Sequence, residues 1–284
     1  KALELDPKFD LAHAWLAWIY CSLAGSWGDL KADSVYQDVQ KELAFIADHS
    51  ELEGMYYKVQ GWMSFWLLDR ASAEQYIRKA VDIDPDVEFG IASLGMFLTL
   101  RRNFQEGQKI AKQALDRNPH FFWNYFVVAQ SYYYNKQFTE AREAIESSQA
   151  LFENHQASIG MKSKLLSLNG KYEEALIFLE NAMTRLNYRP ANLISDIGIT
   201  LAMKGETEQA KQIAEDLIDR LNQGEKNCAY YIAKIYGQLE LENETLLYLE
   251  KAVEYKDDEL NWMEVDLEFE FLRSDERFQQ LVQN

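Results

Sequence analysis

Pro85 and Pro119 stand 34 residues apart, and the stretch between them is spaced for two antiparallel helices in contact. It reads DVEFGIASLGMFLTLRRNFQEGQKIAKQALDRNP from Asp86 to Pro119. Leu94-Gly95, Leu98, Gly107, Ala111 and Ala114 are small or apolar and fall where two such helices must touch. The unit begins after one Asp-Pro and closes on Asn118-Pro119, where a proline stops the helix. A helix-turn-helix unit of this size cannot bury its apolar faces alone, so it must stack on copies of itself.

The copies are present. Units are expected over 10–53, 54–85, 86–119, 120–155, 156–190, 191–225 and 226–256, followed by a capping segment over 257–284. Unit two keeps Tyr57, Gly61, Ala73, Ile77 and Ala80 in register, and unit four keeps Tyr125, Val128-Ala129, Tyr132, Ala141, Ile145 and Ser148. Units five to seven carry Leu166, Gly170, Ala175 and Ala182, then Ile197-Gly198, Ala210 and Ala214, then Ile232-Ala233, Tyr236, Leu249 and Ala252. Lys162-Ser163 in unit five departs from the usual Leu-Gly pair. Unit one is longer by about ten residues, and its loop from Ser22 to Leu30, with Trp27, is an expected contributor to a binding face. Residues 1–7 read as the end of an earlier repeat, so the chain is expected to be a fragment.

This pattern of a large residue, Leu-Gly, Tyr, Ala, an apolar residue, Ala and Pro resembles the tetratricopeptide repeat. The resemblance implies an all-α, right-handed superhelical solenoid of about seven helix-turn-helix repeats with a C-terminal cap. The tail also resembles the end of repeat regions fused to bacterial adenylate cyclases and to winged-helix or AraC-type transcription regulators. Leu267, Glu270 and Glu276 depart from that pattern. Trp262, Phe269, Phe271, Leu272, Phe278 and Leu281 are expected to fold back over unit seven, because a terminal repeat must cover an apolar face.

Composition restricts the function. A net charge of -17 argues against a nucleic-acid groove, which needs clustered Lys and Arg. It fits a solvated convex surface, or attraction of a basic partner. Cys21 and Cys228 are too few for a disulfide framework or a zinc site. No stretch approaches a membrane span and no signal peptide is visible, so a cytoplasmic setting is expected, and the resemblance of the tail implies a bacterial one. None of the four histidines has a second His or Cys three or four residues away. No phosphate loop or nucleophile motif stands in a credible context. The expected chain is non-catalytic and needs no cofactor.

By the resemblance, repeat places two, five, nine and twelve of each first helix line a concave groove. The candidate contact residues there are Trp18, Lys58, Trp62, Phe65, Phe89 and Met96 in the first three units. Trp123, Phe126, Gln130, Tyr133 and Lys164 follow in units four and five. Such aromatic residues bury much area at low entropic cost and would suit a protein, a peptide or a small ligand. The competing reading is that curvature closes them onto one another as core. The family's carboxylate clamp needs Lys, Asn and Arg at paired places, but the fifth places hold Ala14, Lys58, Ala92, Phe126, Gly160, Ser195 and Tyr230. No grip on acidic tails is expected. The chain thus reads as the sensory or interaction region of a larger bacterial regulator; the alternative is an oligomerisation rod or a free-standing scaffold that pairs with further copies of itself.

Overall fold

The computed structural model describes residues 2–25, 28, 30–87 and 89–283. Trp27, and with it the expected role of the long loop, lies outside the described residues, as does Lys1. Among the described residues the chain is helical and without strands. After a short α1 (Ala2–Leu5) come seven helical hairpins. They are α2 (Asp10–Ser22) with α3 (Ala32–Ala44), α4 (Glu53–Trp66) with α5 (Arg70–Ile83), α6 (Gly90–Leu100) with α7 (Phe104–Arg117), and α8 (Phe122–Tyr134) with α9 (Phe138–Leu151). Then follow α10 (Gln156–Leu168) with α11 (Tyr172–Leu186), α12 (Ala191–Lys204) with α13 (Thr207–Asn222), and α14 (Cys228–Gln238) with α15 (Glu242–Tyr255).

The two helices of a hairpin differ in what they bury. Second helices carry a narrow stripe at i, i+4 and i+7: Ala73, Ile77 and Ala80 on α5, Ala175, Leu179 and Ala182 on α11. Their other faces are charged and wet, with Glu140, Glu143, Glu173 and Glu174 all exposed, as an outer layer requires. The first helices of the later hairpins bury a broader face than the second helices do, and on α6 every residue but Ile91 is buried. They form the inner layer. Small residues set the spacing of the layers, since a Cβ on Gly95 would lie 2.8 Å from the Ala111 amide nitrogen. In the departing unit five, Ser163 serves as the small residue: it is fully buried, its hydroxyl turned onto the Gly160 carbonyl at 2.7 Å.

The row of hairpins curls until its ends meet. Lys226, just before α14, donates to the carbonyls of Gly25 and Leu30 in the first hairpin. Lys256 pairs with Asp33 at 2.7 Å, and Lys31 reaches the Tyr255 carbonyl.

Residues 257–283 do not simply turn back over the last hairpin. Two 3-10 segments, Asp258–Trp262 and Leu267–Leu272, precede α16 (Glu276–Gln283). Phe269, Leu272 and Phe278 are buried with Tyr230 and Ile232 of the last hairpin. Trp262, by contrast, stacks edge-on against Phe65 of α4, and the Asn261 amide donates to the Phe65 carbonyl at 2.7 Å. Arg70 at the start of α5 holds the Leu260 carbonyl at 2.7 Å and Glu264 at 3.0 Å. Lys136 after α8 pairs with Glu270. The tail therefore runs along the inner layer from the second hairpin to the seventh and fills much of the concave face.

Its fit is close. A Cβ on Gly237 would lie 2.5 Å from the Glu268 carbonyl oxygen. Gly237→Ala is therefore expected to lower stability by about 1–3 kcal/mol through overpacking, with faster tryptic cleavage inside 257–283. An unchanged urea midpoint would show that the tail does not rest on α14.

Candidate functional site

Between the inner helices and the tail remains a cavity of about 670 Å³. One wall is aromatic. Trp18, Phe89, Phe122, Trp123, Phe126, Phe152 and His155 line it, with Trp262 of the tail. The opposite wall is polar and comes from later hairpins and the tail, with Lys164, Ser195, Asp196, Asn227, Tyr231, Lys234, Glu259 and Asp266. Cavities of about 300–1,000 Å³ that mix apolar walls with a few polar groups are the usual form of small-ligand sites.

The eleven residues singled out from the sequence separate into two groups. Trp18, Phe89, Trp123, Phe126, Gln130, Tyr133 and Lys164 line the cavity. Lys58, Trp62, Phe65 and Met96 do not; each is buried, at 2% exposure or less. Trp62 touches the rings of Trp18, Phe65, Trp66, Phe97 and Trp123, and its indole N–H donates to Ser93 at 3.0 Å. The Lys58 ammonium sits 4.2 Å over the Trp18 ring. Curvature has closed this part of the aromatic groove into core, since a tight superhelix brings inner faces of successive hairpins together.

At the polar end two lysines and three carboxylates are buried together. The Lys234 ammonium lies 2.9 Å from Asp266 and 3.8 Å from Glu268; Lys164 lies 3.5 Å from Asp196 and 3.9 Å from Glu268. Tyr134 donates to Asp266 Oδ1 at 2.9 Å and Tyr230 to Oδ2 at 2.8 Å. Burial works against both ammonium charges, yet the Asp266, Glu268 and Asp196 carboxylates hold them above the ordinary lysine range. Burial likewise opposes charge on Asp266, and Lys234 and Lys164 overcome it, so its carboxyl stays below the usual value. Gly160 makes room for the arrangement, because a Cβ there would sit 2.4 Å from Asp196 Oδ2.

Two groove lysines thus pair with carboxylates of the chain's own tail. The expectation of no grip on a partner's acidic tail was read at the fifth places. Lys164 and Lys234 stand at the ninth places of units five and seven, while Tyr230, a fifth-place residue, supplies a hydroxyl rather than a charge. The identity of their acidic partner had no local signal.

His155 completes the aromatic wall. Its ring meets Phe122, Trp123 and Phe126 within 5.0 to 5.7 Å, and Nδ1 lies 2.6 Å from the Ser158 hydroxyl. Burial pushes its pKa down from 6.5 to about 4, so the folded chain prefers the neutral ring. That stability is fully present above pH 6.5 and is lost as pH falls from there towards 4. The stability difference between wild type and His155→Gln is expected to shrink by about 2–3 kcal/mol between pH 7 and pH 4.5. Urea unfolding at the two pH values checks this, and a constant difference would place His155 in water.

Among the described residues no group of His, Cys, Asp and Glu is arranged to hold a metal ion. Also among them, no helix is long and apolar enough to cross a membrane. Cys21 and Cys228 are buried thiols, in different hairpins.

No protein-family profile matches the chain, and no curated protein matches it. Solved structures do. PilW, described as a widely conserved type IV pilus biogenesis factor, superposes with a TM-score of 0.58 at 16% identity, covering 75% of this chain and 94% of PilW. A chain of the APC/C hetero-tetramer Cut9–Hcn1 gives a TM-score of 0.63 at 14% identity, with 99% of this chain matched to half of the other. A tetratricopeptide repeat protein from Parabacteroides merdae gives 0.49 at 14% identity, covering 81% of this chain and 98% of its own. For PilW and the Cut9–Hcn1 chain, at these identities, the likeness is one of fold alone: an all-α solenoid of helical repeats.

Proposed function

We propose that the chain is a non-catalytic recognition scaffold that takes a short peptide or a drug-sized molecule into the cavity between its inner helices and its tail. The observation that carries this reading is the cavity itself, aromatic on one wall and polar on the other. An amphipathic ligand would bury its apolar part against Trp18, Phe89, Trp123 and Phe126 and its polar part against the later hairpins. Trp262, Glu259 and Asp266 belong to the tail, so such a ligand would touch the scaffold and the tail at once. Binding would then favour one position of the tail over another, which is the requirement for signalling. A place in a larger cytoplasmic regulator of a bacterium rests on the sequence of the tail and belongs to this proposal.

A thermal-shift and calorimetric screen of short peptides and amphipathic small molecules tests the reading. Binders are expected to raise Tm, and Asn192→Trp, which fills the cavity from a half-buried position on its wall, is expected to abolish binding by at least tenfold in Kd while leaving Tm within about 2 °C. Binding that survives Asn192→Trp places the site elsewhere, and a screen without binders ends the proposal.

The alternative, self-association, has one observation in its favour. Leu11, Trp15 and Ile19 form a stripe along α2, continued by Leu23, and each is between 43% and 51% exposed. A second copy could cover this face. Light scattering across a hundredfold concentration range decides it: a constant monomer mass removes the rod reading.

A further inference from the structure

The hydrogen bonds behind His155 decide which of its ring nitrogens carries the proton. The Ser148 hydroxyl donates to the Phe122 carbonyl at 2.9 Å, and a carbonyl can only accept. With that proton spent, the 3.1 Å contact between the Ser148 and Ser158 hydroxyls must be a donation from Ser158. Ser158 then has no proton left for His155, so across their 2.6 Å contact it is Nδ1–H that donates. Both serines are fully buried, so water cannot reverse the order. Burial among rings keeps the imidazole neutral, and a neutral imidazole with its proton on Nδ1 has a bare lone pair on Nε2.

Resting on the reading of the cavity as a ligand site, we infer that His155 Nε2 is a hydrogen-bond acceptor for the occupant, an apolar or aromatic body carrying an O–H or N–H donor of the phenol or indole class. His155 lines the cavity and is half-buried. Nε2 makes no hydrogen bond among the described residues, yet it is not one of the polar atoms sealed away from solvent. Its lone pair therefore opens on whatever fills the cavity. An apolar group pressed onto it would leave a dry acceptor, which is costly. An ether or carboxylate oxygen would set lone pair against lone pair unless the ring took up a proton, which burial opposes. A donor satisfies the nitrogen, and the rings of Phe122, Trp123 and Phe126 around it suit an aromatic body.

The test uses the whole chain and two probes, 2-naphthol and its methyl ether 2-methoxynaphthalene, which keeps the aromatic body and lacks the donor. In calorimetry the naphthol is expected to bind at least tenfold more tightly than the ether. His155→Phe keeps a ring and removes Nε2. It is expected to weaken the naphthol by about tenfold and to leave the ether within about twofold, which erases the preference. A merely structural role for His155 would shift both probes alike. Nitrogen-15 NMR of the wild-type chain reads the tautomer without any variant: at neutral pH Nδ1 is expected to carry the proton and Nε2 to be bare, with the Nε2 signal moving upfield when naphthol is added. A proton found on Nε2, equal binding of the two probes, or a preference that survives His155→Phe overturns the inference and leaves the cavity as a ligand site. If neither probe binds, the inference falls, and the wider screen with Asn192→Trp separately decides whether the cavity binds anything.

Discussion

Asp266→Ala is expected to destabilise the chain by about 3–5 kcal/mol and to free the tail from the inner helices. Asp266 is a deeply buried point among those where tail and scaffold meet electrostatically: its side chain is 2% exposed, with Lys234 at 2.9 Å and the hydroxyls of Tyr134 and Tyr230 at 2.9 and 2.8 Å. Removing the carboxylate leaves a buried ammonium whose next carboxylate, Glu268, is 3.8 Å away, and two buried hydroxyls without their acceptor. The cost is large because these groups stay buried, not because the pair is strongly favourable in itself. Asp266→Asn keeps both positions filled but removes the charge and turns one acceptor into a donor, so one tyrosine hydroxyl must accept instead of donate, and about 1–3 kcal/mol is expected. Urea unfolding gives the energies, and tryptic cleavage within 257–283 reports whether the tail leaves before the hairpins unfold. Equal stability of Asp266→Ala and wild type would mean that the tail does not dock through this residue.

The same group predicts how the tail responds to acid. Because Lys234 and Lys164 hold the Asp266 carboxyl below its ordinary value against the pull of burial, its contribution is complete above about pH 3.9, the unfolded value. It is lost only as pH falls further, through the lower folded value. His155 gives up its contribution earlier, between 6.5 and about 4. Mild acid is therefore expected to loosen the aromatic wall of the cavity while the tail stays docked.

The hairpins were readable from the sequence because everything that defines them is local. Gly95, Ala111 and Ala114 lie within one unit, and helical periodicity decides which face each occupies. The tail was only half readable. Phe269, Leu272 and Phe278 announce a cap by being apolar at the end of a repeat array, and they do pack on the last hairpin. Where the rest of the tail goes depends on how far the array curls, and curl is a sum of small rotations between hairpins that no single residue encodes. Asn261 finds the Phe65 carbonyl across 196 residues and Asp266 finds Tyr134 across 132. The same sum decides which groove residues become core. Trp18 and Trp62 occupy the same place in successive units, yet Trp18 borders the cavity and Trp62 does not.

Trp62→Ala is the substitution that separates these two fates, and it is expected to cost about 3–5 kcal/mol, as truncation of a fully buried aromatic does. In a chain of this length that corresponds to a fall in Tm of roughly 10 °C. The indole has no exposed surface, contacts five other rings and satisfies Ser93, so its removal opens a void that the surrounding rings cannot all move to fill. A residue of an open groove would behave differently: its truncation would leave stability within about 0.5 kcal/mol and change only binding. For this reason loss of binding in Trp62→Ala would carry no information about the cavity, whereas loss in Asn192→Trp would. Differential scanning calorimetry of Trp62→Ala decides the matter. A loss below about 1 kcal/mol would return Trp62 to the groove and require the first three hairpins to be more open than their ring contacts indicate.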